Sequence, residues 1–119
     1  MKNYIFVKSD YRIVRLPFTE ILYIEGFGEY VRFHMLARKV ISLQSMNKLE
    51  ELLPTESFVR VHRSFIVNID NINYIQNNMI SVGDVSIPIS KGKKNSFFAQ
   101  IMPYEVQEKG EIEVEEEEE

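Results

Sequence analysis

The sequence predicts a mainly β protein in which short antiparallel sheets stack in the manner of a β-sandwich, with one or two short helices. Seven or more short runs are rich in β-branched and aromatic residues, which favour strands. Polar or glycine-containing segments separate these runs, and apolar and polar residues alternate within several of them. Because helical spacing of apolar residues is found only in short stretches, sheets have to form the core.

Size and composition indicate one small soluble domain. A chain of 119 residues with 45% hydrophobic residues is typical of a single modest core. It contains no apolar run of the roughly 18 residues needed to cross a bilayer and no N-terminal signal pattern, so we expect a cytoplasmic protein without membrane contact. The absence of cysteine excludes disulfides, thiolate catalysis and cysteine-ligated zinc.

Charge is divided unevenly along the chain. Residues 105–119 contain nine Glu and one Lys, a net charge of −8; the whole chain has 14 Lys and Arg against 18 Asp and Glu, which leaves 13 against 9, a net of +4, in residues 1–104. We therefore expect a mildly basic domain at 1–104 and an acidic segment at 105–119 that is predicted to be disordered. A basic domain is compatible with a polyanionic partner.

The first strands are predicted to form a hairpin. Residues 4–8 and 11–16 have strand character, and Ser9 and Asp10 suit a two-residue turn between them. Pro17 then interrupts the strand pattern, so residues 17–20 predict one short helical turn.

A second strand pair is predicted at 21–25 and 30–35, with a turn-capable break at 26–29. In the returning strand one face is predicted to be buried and the other to be basic and polar. The buried set is Val31, Phe33 and Met35, and the basic and polar set is Tyr30, Arg32 and His34. Residues 36–38 are expected to turn into a further strand at 39–43.

A helix of about two turns is predicted after Ser45, which is a suitable N-cap, and before Pro54, which stops it. Its apolar residues are Met46, Leu49, Leu52 and Leu53. Since so short a helix is not stable alone, we expect this stripe to pack on a sheet rather than to bind a partner.

The C-terminal half is predicted to hold a further hairpin. Gly83 and Asp84 separate the strand-like residues 79–82 and 85–89 and form a favoured two-residue loop. A strand at 73–75 and a turn at 76–78 precede this hairpin, and a short helix is expected at 95–101.

The most informative stretch is residues 58–68, with the sequence FVRVHRSFIVN. Apolar strand-like residues flank three polar ones, His62, Arg63 and Ser64, so two strands are predicted whose connection is presented at the surface. We expect His62 to orient this loop by bonding a backbone carbonyl.

The sequence argues against an enzyme. The two histidines, His34 and His62, lack metal-ligand spacing, and the chain has no nucleophile elbow and no phosphate-binding glycine loop. The acidic residues of the domain form no evident acid–base pair. We therefore expect no catalytic site, no metal and no cofactor.

Cations at loops and strand ends favour a binding surface instead. They are Arg63, Lys91, Lys93 and Lys94, with Arg32, Arg38 and Lys39 around the middle hairpin. Such residues can neutralise phosphates and contact base edges, but a small domain can also acquire a basic patch by chance. The residues alone leave two functions open, a nucleic-acid-binding domain and a β-rich protein-interaction or ligand-sensing module. No helix-turn-helix, zinc-finger or RNP pattern is present, so any DNA contact has to come from loops.

Several motifs, in order, resemble the LytTR-type DNA-binding domain of bacterial transcription regulators. The resemblance covers about residues 4–101 and is carried by residues 58–68 together with ILYIE at 21–25, GEYV at 28–31, LEELLP at 49–54 and PISK at 88–91. It implies stacked antiparallel sheets that insert loop residues into successive major grooves of double-stranded DNA, often at repeated promoter sites.

Carried over by position, the resemblance implies base contacts from Arg63 and Lys91, with Tyr30 or Val31 near a third contact loop. Ser64, Lys93 and Lys94 are the implied phosphate contacts. Similar sequences often have Arg at the position of Lys91, and Lys cannot make the two-pronged contact to guanine that Arg makes.

The resemblance also implies a biological setting. Domains of this type are commonly attached to an N-terminal receiver domain in a two-component response regulator, so this chain is expected to be such an output domain. We expect the isolated domain to be a monomer.

Overall fold

The computed structural model describes residues 2–102, so the acidic segment at 105–119 lies outside the described residues. The described part forms strands, two α-helices and three 3-10 turns. The strands are β1 Tyr4–Ser9, β2 Arg12–Pro17, β3 Ile21–Phe27, β4 Tyr30–Met35, β5 Lys39–Leu43, β6 Phe58–His62, β7 Phe65–Asn68, β8 Ile72–Gln76, β9 Met79–Val82 and β10 Val85–Pro88. The helices are α1 Met46–Leu52 and α2 Lys94–Ile101, and the 3-10 turns are Phe18–Glu20, Ile69–Asn71 and Lys91–Lys93.

These strands form three antiparallel sheets, which confirms the predicted mainly β fold. The central sheet has five strands in the order β5-β4-β3-β7-β6. The β1–β2 hairpin makes a two-stranded sheet, and β10-β9-β8 make a three-stranded one. The pairing of β3 with β7 joins segments that lie about forty residues apart, since Tyr23 is opposite Val67.

The central sheet is covered on both faces, and its buried residues divide into two clusters. Successive residues of a strand point to opposite faces, so the neighbours Ile66 and Val67 belong to different clusters. The Ile66 cluster joins the sheet to the β1–β2 hairpin through Leu16 and to α1 through Leu49. The Val67 cluster joins the other face to the sheet of β8 to β10 and to α2, and includes Phe97.

The β-hairpins use turn geometry that suits their twist. Asp10 and Tyr11 both have positive φ, as do Asn77 and Asn78, which is the pattern of type I′ hairpin turns. The first turn therefore lies one residue later than the predicted Ser9–Asp10 turn. Gly28 and Gly83 have φ of 61° and 58° in the β3–β4 and β9–β10 turns, where the lack of a Cβ removes the steric cost.

Helix α1 begins as predicted, because the Ser45 side chain accepts a hydrogen bond from the Lys48 amide. Leu49 and Leu53 are buried, but Leu52 is 65% exposed, so the predicted four-residue core stripe is wrong at Leu52. At about 100° per residue, Leu52 lies on the opposite side of Leu49 from Met46, which packs against the core.

The predicted alternation in β4 is confirmed. Val31, Phe33 and Met35 are buried, whereas Tyr30 is exposed and Arg32 and His34 are half-buried. None of the helices in residues 2–102 is long and apolar enough to span a membrane.

Candidate nucleic-acid interface

Three connections meet at one end of the central sheet. They are the β3–β4 turn at Gly28 and Glu29, the β6–β7 turn at Arg63 and Ser64, and the 3-10 turn Lys91–Lys93. The Gly26 amide donates a hydrogen bond of 2.8 Å to the Ser64 carbonyl, and the Ser90 amide donates one of 2.8 Å to the Val61 carbonyl. Backbone hydrogen bonds thus place the β6–β7 turn between the other two.

Four of the predicted contact residues bring positive charge to this end. Arg63, Lys91 and Lys94 are exposed and Lys93 is half-buried. Among residues 2–102, ion pairs involve only Arg32, His34 and Arg60 as cations, so these four charges have no carboxylate partner within the described part of the chain. They are free to neutralise an external anion.

His62 closes the β6–β7 turn on itself. Its Nδ1 accepts a hydrogen bond of 3.1 Å from the Ser64 amide, which makes Nδ1 the unprotonated ring nitrogen in this contact. We predicted a backbone carbonyl as the partner, and the observed partner is a backbone amide. The ring also lies 5.6 Å from that of Phe65, so both contacts hold His62 against its own turn.

The structure places Tyr30 and Val31, which were both predicted near the third contact loop, on opposite faces of β4. Tyr30 is 47% exposed, and its ring stacks on that of Phe27 with centroids 6.0 Å apart. Val31 has 0% exposure and belongs to the core, so its side chain cannot reach DNA while β4 stays folded. The prediction of Val31 as a base contact is therefore wrong, because the strand alternation turns it inward.

The cations of the middle hairpin do not join the cluster. The β4–β5 connection, with Arg38, lies at the opposite end of β4 from the β3–β4 turn, and Lys39 pairs there with His34. Arg32 is held by Glu25 at 3.2 Å and lies 4.5 Å from the centre of the Phe27 ring. Arg32 is therefore paired within the domain and does not belong to the group of unpaired cations.

Glu25 also binds His34 through the same carboxylate oxygen, at 2.9 Å from Nε2. The imidazole stacks on the Tyr23 ring with centroids 4.1 Å apart. Burial lowers the pKa of His34 even though Glu25 acts to raise it. Burial likewise raises the pKa of Tyr23.

Sequence reasoning missed Arg60, which lies in β6 two residues before the turn. Only 10% of its side chain is exposed, and it donates hydrogen bonds to the turn and to α1. A cation in the middle of an otherwise apolar strand was the available signal, because a buried arginine has to be paired or hydrogen-bonded.

The structure defines a mainly β domain with exposed cations on the turns at one end of its central sheet. The sequence model of the LytTr DNA-binding domain matches residues 11–102. The chain therefore belongs to the LytTR DNA-binding domain family, as its motifs predicted.

Relatives of this chain are bacterial proteins named for sensory transduction or transcriptional regulation. The sensory transduction protein LytT of Bacillus cereus is 32% identical over 85 residues, which cover 66% of this chain and 35% of LytT; LytT of Bacillus anthracis gives the same values. The transcriptional regulatory protein YpdB of Escherichia coli is 27% identical over 96 residues, covering 75% of this chain and 39% of YpdB. The chain thus spans little more than a third of these relatives.

A solved structure supports the same fold. The LytTr DNA-binding domain from a Bacillus cereus response regulator superposes with a TM-score of 0.74 at 25% identity, covering 85% of this chain and 98% of that domain. The prediction of stacked antiparallel sheets with short helices is confirmed by this likeness as well as by the sheet order.

Proposed function

We propose that this chain is a sequence-specific double-stranded DNA-binding domain of a bacterial transcription regulator and that it reads major grooves with its turns. The observation that carries the proposal is the end of the central sheet where three connections meet. Arg63, Lys91 and Lys94 are exposed there without a carboxylate partner in residues 2–102. A cluster of unpaired cations on adjoining turns suits the phosphate backbone and the base edges beside it.

Each side chain has a role set by its chemistry. Arg63 offers a planar fork that can bond both O6 and N7 of guanine, whereas Lys91 offers a single ammonium group and reads bases less strictly. Tyr30 is the third base-contact candidate. Ser64, Lys93 and Lys94 are the candidates for phosphate contacts, and His62 orients the turn that carries Arg63.

The wider setting is part of the same proposal. Because the chain spans only 35% of LytT and 39% of YpdB, we propose that it serves as the non-enzymatic output domain of a longer cytoplasmic response regulator with an N-terminal receiver domain. We propose repeated promoter sites as its targets and a monomer as its state in isolation. Two domains side by side on repeats need no large protein interface.

Fluorescence-anisotropy binding to a mixed promoter-DNA pool, followed through a salt titration, tests the proposal. For a site selected from the pool, we expect Arg63→Ala to cost roughly 1–3 kcal/mol while weak bulk binding remains. Lys94→Ala is the matched charge-loss control, and we expect it to weaken all sequences evenly and to reduce the salt slope by about 1.

Absence of binding at low salt would overturn the proposal. If neither the full chain nor a chain ending at residue 104 binds any duplex, the domain is a β-rich interaction or ligand-sensing module. If both variants lose affinity evenly for all sequences, Arg63 contacts phosphate and the assignment of base reading to it is wrong.

A further inference from the structure

Arg60 stands behind the β6–β7 turn rather than on the DNA-facing surface. It lies in β6 opposite Ile66 of β7. The register of these two strands shifts between Arg60 and His62. With 10% of its side chain exposed, it is far less accessible than Arg63, which is exposed at the tip of the turn. Two arginines three residues apart therefore have different surroundings.

The guanidinium group binds the backbone of the turn from inside. Nε donates a hydrogen bond of 3.2 Å to the His62 carbonyl, and Nη2 donates one of 2.5 Å to the Arg63 carbonyl. These oxygens would repel a phosphate if they faced it. Because both point at Arg60, the partial negative charge of the turn is directed inward and neutralised, and the Arg63 side chain remains exposed.

The other side of the guanidinium is fixed to α1. Nη1 donates hydrogen bonds of 2.9 Å to Asn47 Oδ1 and of 2.9 Å to Glu50 Oε1. Helix α1 is itself anchored in the core through Leu49, which is 2% exposed. The turn is thereby connected, through a single side chain, to an element that packs on the central sheet.

These contacts leave Arg60 little capacity to bind phosphate. An arginine has five N–H donors, and four acceptors within the protein already face this one: the His62 and Arg63 carbonyls, Asn47 and Glu50. Lysine cannot replace it, since an ammonium group has three donors and lacks the planar fork that spans acceptors on two sides.

We propose that Arg60 is a positioning residue for DNA recognition, which holds the β6–β7 turn in the geometry that presents Arg63 to a base edge, with Asn47 and Glu50 as its anchor. This inference rests on the proposed DNA-binding function. It makes sequence discrimination depend on a cation whose side chain is only 10% exposed, whereas non-specific affinity depends on the exposed cations.

The test separates discrimination from bulk affinity. A duplex is first selected from a randomised double-stranded library with the full unmodified chain, and a scrambled duplex of the same length and composition is the reference. Affinities for both are then measured over a salt series for Arg60→Lys, Arg60→Gln and Glu50→Ala. The matched control is Arg38→Gln, which removes an exposed arginine from the opposite end of β4.

We expect both Arg60 variants to lose about 10-fold or more in affinity for the selected duplex, because small misplacement of a recognition group is costly. Affinity for the scrambled duplex should change less than about 3-fold and the salt slope should stay the same, since no phosphate contact is removed. Glu50→Ala should shift the ratio in the same direction by a smaller factor, and Arg38→Gln should leave it unchanged.

An unchanged ratio of selected to scrambled affinity in Arg60→Lys and Arg60→Gln would overturn the inference while leaving the proposed function intact. If the ratio is unchanged because both affinities fall evenly and the salt slope is reduced, Arg60 is a phosphate contact. Failure of the unmodified chain to select any duplex would instead overturn the proposed function itself.

A folding defect is detected separately. Circular dichroism and thermal unfolding are recorded for each variant, and amide exchange of Ser64 reports on the turn, since its N–H is bonded to His62. If Arg60→Gln does not fold, the ratio of selected to scrambled affinity is measured for Glu50→Ala and Asn47→Ala instead, since both residues are exposed on α1. A ratio unchanged in both anchor variants then counts against the inference.

Discussion

At the scale of single residues, His34 links protonation to stability. Its imidazole is stacked on Tyr23 and bonded to Glu25 at 2.9 Å. Burial lowers its pKa below the ordinary value of 6.5, with smaller effects of Lys39 and Arg32 in the same direction, and Glu25 opposes them. The unfolded chain therefore takes up a proton at this position more readily than the folded one.

The sign of the pH effect follows from that difference. Well above the ordinary pKa of 6.5, His34 is unprotonated in both the folded and the unfolded state, so its contribution to stability is fully present. As the pH falls through 6.5 and then through the lowered pKa of the folded state, that contribution is lost. We expect His34→Gln to reduce the fall in unfolding free energy between about pH 7.5 and 5. Urea unfolding at several pH values measures it.

The other histidine supplies the control for this measurement. His62 lies in the β6–β7 turn, away from Glu25, so His62→Gln leaves the His34 contacts in place. If His34→Gln shows the same pH dependence as the unmodified chain, the half-buried imidazole does not cause the fall in unfolding free energy at low pH.

Residue-level prediction from sequence succeeded where the signal was local. Arg63 lies between two predicted strands and Lys91 follows the last one, so both were expected at exposed connections. Both are exposed. Val31 shares the GEYV motif with Tyr30 and differs from it only in facing the other side of β4. Arg60 could not be assigned, because its acceptors on α1 lie ten and thirteen residues away in sequence and meet it only once the sheet is formed.

At the scale of elements, the β1–β2 turn carries avoidable strain. Tyr11 has φ of 64° and is fully exposed, so the left-handed conformation is imposed on an L-residue whose ring packs against nothing. That conformation costs roughly 1–2 kcal/mol for a residue with a Cβ. We expect Tyr11→Gly to raise the unfolding free energy by about 0.5–1 kcal/mol, less than the full strain because Gly also loosens the unfolded chain. Denaturant unfolding measures it.

Tyr11→Ala separates the two causes that such a gain could have. It removes the same exposed ring but keeps a Cβ at positive φ, so we expect little change in stability. Equal stabilisation by Ala and Gly would show that the exposed ring, and not the backbone conformation, was responsible.

Helix α1 provides a matched pair of leucines. Leu49 is 2% exposed and Leu52 is 65% exposed, although both belong to the same predicted stripe. We expect Leu49→Ala to cost about 2–5 kcal/mol by leaving a cavity, and Leu52→Ala to change stability by no more than about 0.5 kcal/mol. Thermal or urea unfolding of both variants decides it, and similar losses would contradict the observed orientation of α1.

Elements were predictable to the extent that their determinants are local. The alternation in β4, the Gly83–Asp84 turn and the Ser45 cap each depend on neighbouring residues, and each was found as predicted. Pairing of β3 with β7 depends on residues such as Tyr23 and Val67 that no short window contains. The sequence therefore predicted the strands and hairpins but not the five-stranded order that unites the three turns.

At the scale of the whole molecule, the chain consists of two regions whose net charges have opposite signs. Residues 1–104 have a net charge of +4 and residues 105–119 one of −8, so the complete chain is at −4. Removing residues 105–119 reverses the sign of the net charge that an approaching DNA duplex meets. Screening limits the range of such an effect to a Debye length, about 10 Å at 0.1 M salt and 3 Å at 1 M.

We therefore expect a chain ending at residue 104 to bind DNA several-fold more tightly than the full chain at about 0.05 M salt, with the difference shrinking towards about 0.5 M as screening increases. Anisotropy titrations of both chains on one duplex measure it. A full-length variant with all nine Glu of residues 105–119 changed to Gln keeps the segment's length and separates charge from bulk. If it binds like the shortened chain, repulsion by the acidic charge sets the difference; if it binds like the unmodified chain, the charge of that segment is not felt at the DNA-binding end.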